Sequence, residues 1–163
     1  MSDSRPSDPA ERYGFMRMCY RNWRPTRFGL FVNRLNCWWS GLGLPPRFQA
    51  ALGVRGRKSG EIRWSPVVLT TVDDTVYLVS MLGPNSAWVR NVEAANGEAV
   101  IRQGRTRRVH LTPVPADLRA SVLREYVRLA PGGRMHFPVG VGAPLAEFAA
   151  IANRYPVFRI DPA

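Results

Sequence analysis

Arg55-Gly56-Arg57-Lys58-Ser59-Gly60-Glu61-Ile62-Arg63 sets four cations beside two glycines within nine residues. Glycine tolerates φ > 0, so a tight turn here can aim backbone N–H groups and Arg/Lys heads at one concave point. The chemistry such a turn serves is the holding of an anion, phosphate above all. A hairpin turn whose charges simply face water uses the same residues, since basic runs are commonly solvated.

The rest of the chain carries the same sign, with 23 Lys+Arg against 12 Asp+Glu and a formal charge of +11. That excess draws an anionic partner: nucleic acid, an acidic membrane face, or a phosphorylated or polycarboxylate ligand. Composition does not choose among them. Every other basic residue is an arginine, so Lys58 stands out inside the turn. Cys19 and Cys37 have no further Cys/His cluster around them and read as buried thiols of a cytosolic protein. His110 and His136 lack the spacing of a zinc or catalytic pair. The P-loop and dinucleotide-binding glycine signatures are missing. Met1 to Glu11 is polar, and the longest charge-free stretch, Thr75 to Val89, is interrupted by Gly83-Pro84-Asn85. Neither a signal peptide nor a membrane-spanning helix is expected, which places the protein in the cytoplasm.

The elements that must position the turn follow from periodicity. With 163 residues, 45% of them hydrophobic, one domain over residues 10–163 is expected behind a disordered tail at residues 1–9. Residues 10–40 read as two basic, aromatic helices: one from Pro9 to Trp23, the other carrying Phe28, Phe31, Val32, Leu35, Trp38 and Trp39 on one stripe. They either pack on the domain or lie on an anionic membrane surface. A strand over Arg47–Arg55 enters the turn, Trp64–Val72 leaves it, and Thr75–Leu82 follows the Asp73-Asp74 turn. Pro66 has no N–H for a ladder and marks an edge or a bulge. Asn85 or Ser86 is placed to cap a helix over Ala87–Ala95. A hairpin of Glu98–Gln103 and Thr106–Val114 comes next. A helix from Pro115 then turns Leu118, Val122, Leu123, Tyr126 and Leu129 inward. A Gly/Pro-rich loop, a helix over Leu145–Asn153 and a strand over Tyr155–Ile160 finish the chain. About six strands without βαβ alternation predict an α+β fold, mainly antiparallel: a small six-stranded barrel flanked by helices.

Gly56-Arg57-Lys58-Ser59-Gly60-Glu61-Ile62-Arg63-Trp64-Ser65-Pro66, followed by Ala87-Trp88-Val89-Arg90-Asn91-Val92, resembles the deazaflavin-dependent nitroreductases of actinobacteria. These are the quinone- and nitro-reducing branch of the split β-barrel flavin/deazaflavin oxidoreductases. The resemblance runs from about Ala50 to Ile160 and implies a split β-barrel. It also implies hydride transfer from reduced coenzyme F-420, whose ribityl phosphate and oligoglutamate tail make it strongly anionic. On the matching positions, Arg57, Lys58 and Arg63 would grip phosphate and tail, with Ser59, Gly60 and backbone N–H groups completing the cradle and Pro66 beside it. Ser80 and Met81 would line the ring, and Trp88 and Asn91 would border the deazaflavin end. The chain departs from the family pattern in its shorter Met81–Ser86 loop. It has Met135-His136-Phe137 where nitro-reducing relatives carry tyrosines.

The resemblance therefore implies an electron-poor acceptor, a quinone, an enone or a nitro compound, with His136 or water as proton source. FMN on the same barrel is the alternative cofactor. A basic barrel that stacks single-stranded nucleic acid is a further alternative, weakened because the strands are mostly aliphatic. No nucleic acid is expected as a partner. Peripheral contact with an anionic membrane and a monomeric or homodimeric state both accord with the sequence.

Overall fold

The computed structural model describes residues 47–163 continuously, with Tyr20, Arg21, Arg24, Pro25, Arg34, Leu35, Trp38, Trp39 and Leu42 before them. The expected tail and most of the two N-terminal helices lie outside the described residues. Tyr20–Arg21, expected near the end of a helix, instead pairs antiparallel with Arg24–Pro25. Pro25 disfavours helical backbone at the residue before it, which suits a strand there. Arg34–Leu35 and Trp38–Trp39 are helical, as the apolar stripe predicts.

Seven strands form one sheet: β1 (Gln49–Arg55), β2 (Ile62–Val68), β3 (Thr70–Val72), β4 (Thr75–Val79), β5 (Glu98–Gln103), β6 (Arg105–Pro113) and β7 (Val157–Pro162). Its order is β2-β1-β5-β6-β7-β4-β3, and every pairing is antiparallel. The two edge strands β2 and β3 are separated in the chain by Leu69 alone. The chain thus crosses from one edge to the other in a single residue, which requires the sheet to curl until its edges meet. Leu69 N–H still donates to the Phe48 carbonyl at 2.7 Å, while Thr70 already pairs with Tyr77. The expected strand Trp64–Val72 is therefore one strand that changes partner, and the six expected strands become seven at the split.

Pro66 sits on the edge strand β2, in unbroken register opposite Ala51. It marks an edge, and the irregularity of this strand is at Leu69 instead.

Registers also fix what lies at each end of the barrel. The end of β1, the starts of β2 and β5, the ends of β4 and β6 and the start of β7 share one end. The basic turn, the Ser80–Ser86 loop and the long excursion between β6 and β7 all leave from it. Helix α1 (Ala87–Ala94) links β4 to β5 there, and α2 (Ala120–Leu129) and α3 (Leu145–Ile151) belong to the excursion.

Two apolar clusters hold these layers. Alternate β1 residues Ala50, Leu52 and Val54 meet Leu78, Ile101, Leu111 and Phe158 inside the barrel, with Val89 and Val92 of α1 joining them. The second cluster packs Leu123, Val127, Phe148 and Ile151 against Val79 and Val157. Leu118, expected inward, is 63% exposed, because a 3-10 turn at Ala116–Leu118 precedes α2 and rotates it off the buried face. Arg119 closes the excursion: Nε donates to the Val114 carbonyl at 2.7 Å, and Nη1 to the carbonyls of Ala152 at 3.1 Å and Tyr155 at 3.3 Å.

Candidate cofactor site

β1 and β2 pair from Gln49↔Val68 to Arg55↔Ile62, which leaves residues 56–61 as the turn. Gly56 N–H donates to the Glu61 carbonyl and Gly60 N–H to the Gly56 carbonyl, each at 2.8 Å. The two glycines are needed for different reasons. Gly60 has φ +71°, whereas a Cβ on buried Gly56 would come within 2.9 Å of Ser59 Oγ and 3.2 Å of the Glu61 carbonyl oxygen. With the turn so folded on itself, the N–H groups of Lys58 and Ser59 have no partner among the described residues.

The second half of the site comes from α1, which packs on β1. Asn91 is buried, and its Oδ1 accepts from Arg57 Nη1 at 2.9 Å and from Arg57 N–H at 3.3 Å. Residues 34 apart in sequence thereby lock the turn to the helix. Arg63 Nη2 donates to Ser59 Oγ at 3.4 Å and lies 3.6 Å from the Glu61 carboxylate, with both charged side chains largely in water. An exposed pair of that kind contributes little and yields readily to a stronger anion. Lys58 is exposed and no acid pairs with it among the described residues. The turn therefore presents one oriented guanidinium, one ammonium, one loosely held guanidinium and two vacant N–H donors. A phosphate or carboxylate cluster fits that donor set.

Asn91→Leu is expected to leave the Arg57 donors without their buried acceptor. Its cost is about 1–3 kcal/mol of stability, together with weaker anion binding at the turn. Urea denaturation reads the first and ligand titration the second.

The remaining expected site residues fall elsewhere around the same barrel end. Ser80 is buried, and its Oγ donates to the Gly83 carbonyl at 2.8 Å and lies 3.0 Å from Ser86 Oγ. It fixes the loop that launches α1. Ser86 is the N-cap of α1 as expected, yet its hydroxyl serves Ser80 and makes no cap hydrogen bond. Met81 is half-buried against the second cluster. Trp88 is half-buried with its ring 5.5 Å from that of Phe158. Pro66 is half-buried on β2.

His136 belongs to the excursion, in a 3-10 turn at Arg134–His136, where its carbonyl accepts from Tyr155 Oη at 2.7 Å. Burial lowers its pKa below the usual imidazole range. The unfolded chain thus binds the extra proton more readily below about pH 6.5, and stability falls as pH drops through that value. His136→Asn is expected to flatten this part of the profile in thermal melts run from pH 7 down to pH 5; an unaltered profile would count against the burial.

Of the two glycines expected to supply positive φ, only Gly60 does; Gly56 acts by close packing instead. One contributor was not singled out from the sequence: Glu61 supplies the carbonyl that closes the turn, as a hairpin with a six-residue connection signals. Among the described residues, no group of three or more His, Cys, Asp or Glu side chains can hold a metal ion. No described helix is long and apolar enough to cross a membrane.

No curated protein matches the chain in sequence. Among solved structures, an F420-H2-dependent reductase of the FDR-A type is 15% identical over 71% of this chain and 95% of its own, with a TM-score of 0.48. A conserved hypothetical protein from Mycobacterium tuberculosis is 12% identical over 87% of this chain and 84% of its own, with a TM-score of 0.50. A domain-swapped dimer is 14% identical over 83% of this chain and all of its own, also at 0.50. At such identities the last two show a shared fold. The model of the F420H(2)-dependent quinone reductase family matches residues 32–140, a span that includes the basic turn, α1 and the start of the excursion. The chain therefore belongs to the F420H(2)-dependent quinone reductase family and is an oxidoreductase whose coenzyme is F-420, leaving the FMN alternative unneeded.

Proposed function

We propose that the turn at Gly56–Glu61 holds the phosphate and acidic tail of F-420 and that the enzyme reduces a quinone. The observation that carries this is the Arg57–Asn91 contact, which puts both motifs at one place while the Lys58 and Ser59 N–H groups remain vacant. When bound, the reduced coenzyme supplies a hydride. Arg57, Lys58, Ser59, Gly60 and Arg63 bind its anionic part. Trp88, Pro66, Ser80 and Met81 shape the surroundings of its ring. With one hydride and one proton the quinone becomes a hydroquinone. The proton comes from His136 or from water, and the lowered His136 pKa favours water.

A lipid-soluble quinone accords with the N-terminal segment, where Leu35 is 56% and Trp38 58% exposed. Such apolar exposure on a chain of charge +11 supports peripheral contact with an anionic membrane. Enones and nitro compounds are the competing acceptors. Fluorescence titration with oxidised F-420 and with FMN, side by side, followed by menadione added to the reduced form, tests the proposal. Tight F-420 binding and menadione-dependent reoxidation are expected. Preference for FMN would overturn the cradle, and F-420 binding without reoxidation would overturn the quinone.

A further inference from the structure

The outer wall of the barrel beside the basic turn carries chemistry that the turn itself does not use. Because Ala50, Leu52 and Val54 point into the barrel, Gly53 and Arg55 of β1 point outward, and residues directly opposite them share that face. Register therefore sets Ile62 and Trp64 of β2, Val100 and Arg102 of β5 and Arg108 of β6 on one outer surface with Arg55. The Trp64 ring crosses β1 above Gly53, where a Cβ would come within 2.9 Å of it, and the Arg102 guanidinium sits 4.6 Å from the ring centroid. Even so, Trp64 stays 38% and Ile62 46% exposed.

The cations of this wall lack counter-ions. No acid pairs with Arg55, Arg102 or Arg108 among the described residues, and Glu98, set opposite His110, is the only acid on the four strands. Arg102 Nε is closed off from solvent and has no hydrogen-bond partner. Stacking on Trp64 holds that guanidinium in place, so an arriving carboxylate meets a preordered, partly desolvated donor. Apolar Ile62 and Trp64 lie between the charges of Arg55 and Arg102, which suits a chain that alternates carboxylates with methylene groups better than a compact anion. The wall also starts at the turn. Arg55 and Ile62 are the pair that flank it, and the Arg102 row, opposite Ala51, lies about 14 Å farther along the strands. An extended chain of about four or five acidic residues spans that distance.

We propose that the far part of the coenzyme's oligoglutamate tail leaves the turn over Arg55 and runs along this wall, its carboxylates on Arg102 and Arg108 and its methylene groups on Ile62 and Trp64. The wall thereby distinguishes coenzyme molecules by the length of their tails. The inference rests on the reading that the turn holds F-420.

Fluorescence titration of the full chain with oxidised F-420, fractionated into a form with a single glutamate and a form with about six, tests it. The long form is expected to bind at least about tenfold more tightly than the short one, the fold-change of one charge-assisted hydrogen bond. Arg102→Gln and Arg108→Gln should each narrow that gap, and the double variant should close it without changing the affinity of the short form. Lys58→Ala, in the turn, should weaken both forms by the same factor. Arg124→Gln, the same change of charge at an exposed position of α2, should leave the gap as it is. Equal affinity of the two forms, a gap that survives the double variant, or one that Arg124→Gln closes as well would overturn the tail path and leave the turn as the coenzyme site. Failure of both forms to bind would overturn the turn, and the tail path with it. Arg108 is exposed and unpaired among the described residues, so Arg108→Gln keeps the test decisive even if Arg102→Gln loosens Trp64.

Discussion

Lys58→Ala is expected to bind oxidised F-420 at least about tenfold more weakly than the unmodified protein, because one charge-assisted hydrogen bond shielded by the ligand is lost. The fold should not change. Lys58 is exposed, sits in a turn and pairs with no acid among the described residues, so its removal leaves no buried group stranded. Surface substitutions of that kind alter stability by less than about 0.5 kcal/mol. Arg63→Ala should weaken binding in the same direction, offset in part by release of the Glu61 and Ser59 contacts. Arg57→Ala differs from both, since it also strips the buried Asn91 amide of its partner. Parallel titrations and melts of the three variants separate binding from folding. Full affinity in Lys58→Ala would remove the lysine from the site.

Phe148→Ala is expected to have the largest effect on stability. Its side chain is fully buried in the cluster with Leu123 and Val127, where α3 meets α2. Deleting a buried phenyl group costs about 3–5 kcal/mol through lost transfer energy and the cavity left behind. The midpoint of urea denaturation should fall accordingly. The barrel interior is a separate cluster, built on Leu52, Leu78 and Ile101, so any protein that remains folded should still bind at the turn. A loss below about 1 kcal/mol would mean that the α2–α3 layer repacks around the missing ring.

Much of the fold was legible from periodicity. The short apolar run in Gln49–Arg55 and the Asp73-Asp74 and Gly104 turns locate the hairpins directly. The split of one strand at Leu69 was not legible. Nothing in Trp64–Val72 marks the residue at which a continuous apolar run exchanges β1 for β4, because that point is set by the circumference of the barrel. Leu118 misled for a related reason: helical spacing assumed that the helix began at Pro115, and a 3-10 turn reset the phase.

The basic turn divides along the same line. Its chemistry is local. The residue types, the positive φ at Gly60 and the closure of a short hairpin all lie within a few residues of one another, so sequence alone was enough to propose an anion site here. Which donors remain for a ligand was decided by contacts across the fold. Arg57 N–H and Nη1 are held by Asn91, 34 residues away, while the Ser80 hydroxyl donates to the Gly83 carbonyl and Ser86 Oγ lies 3.0 Å from Ser80 Oγ. Such pairings depend on strand register and on the packing of α1 over β1, quantities that accumulate over the whole barrel and leave no trace in the spacing of neighbouring residues.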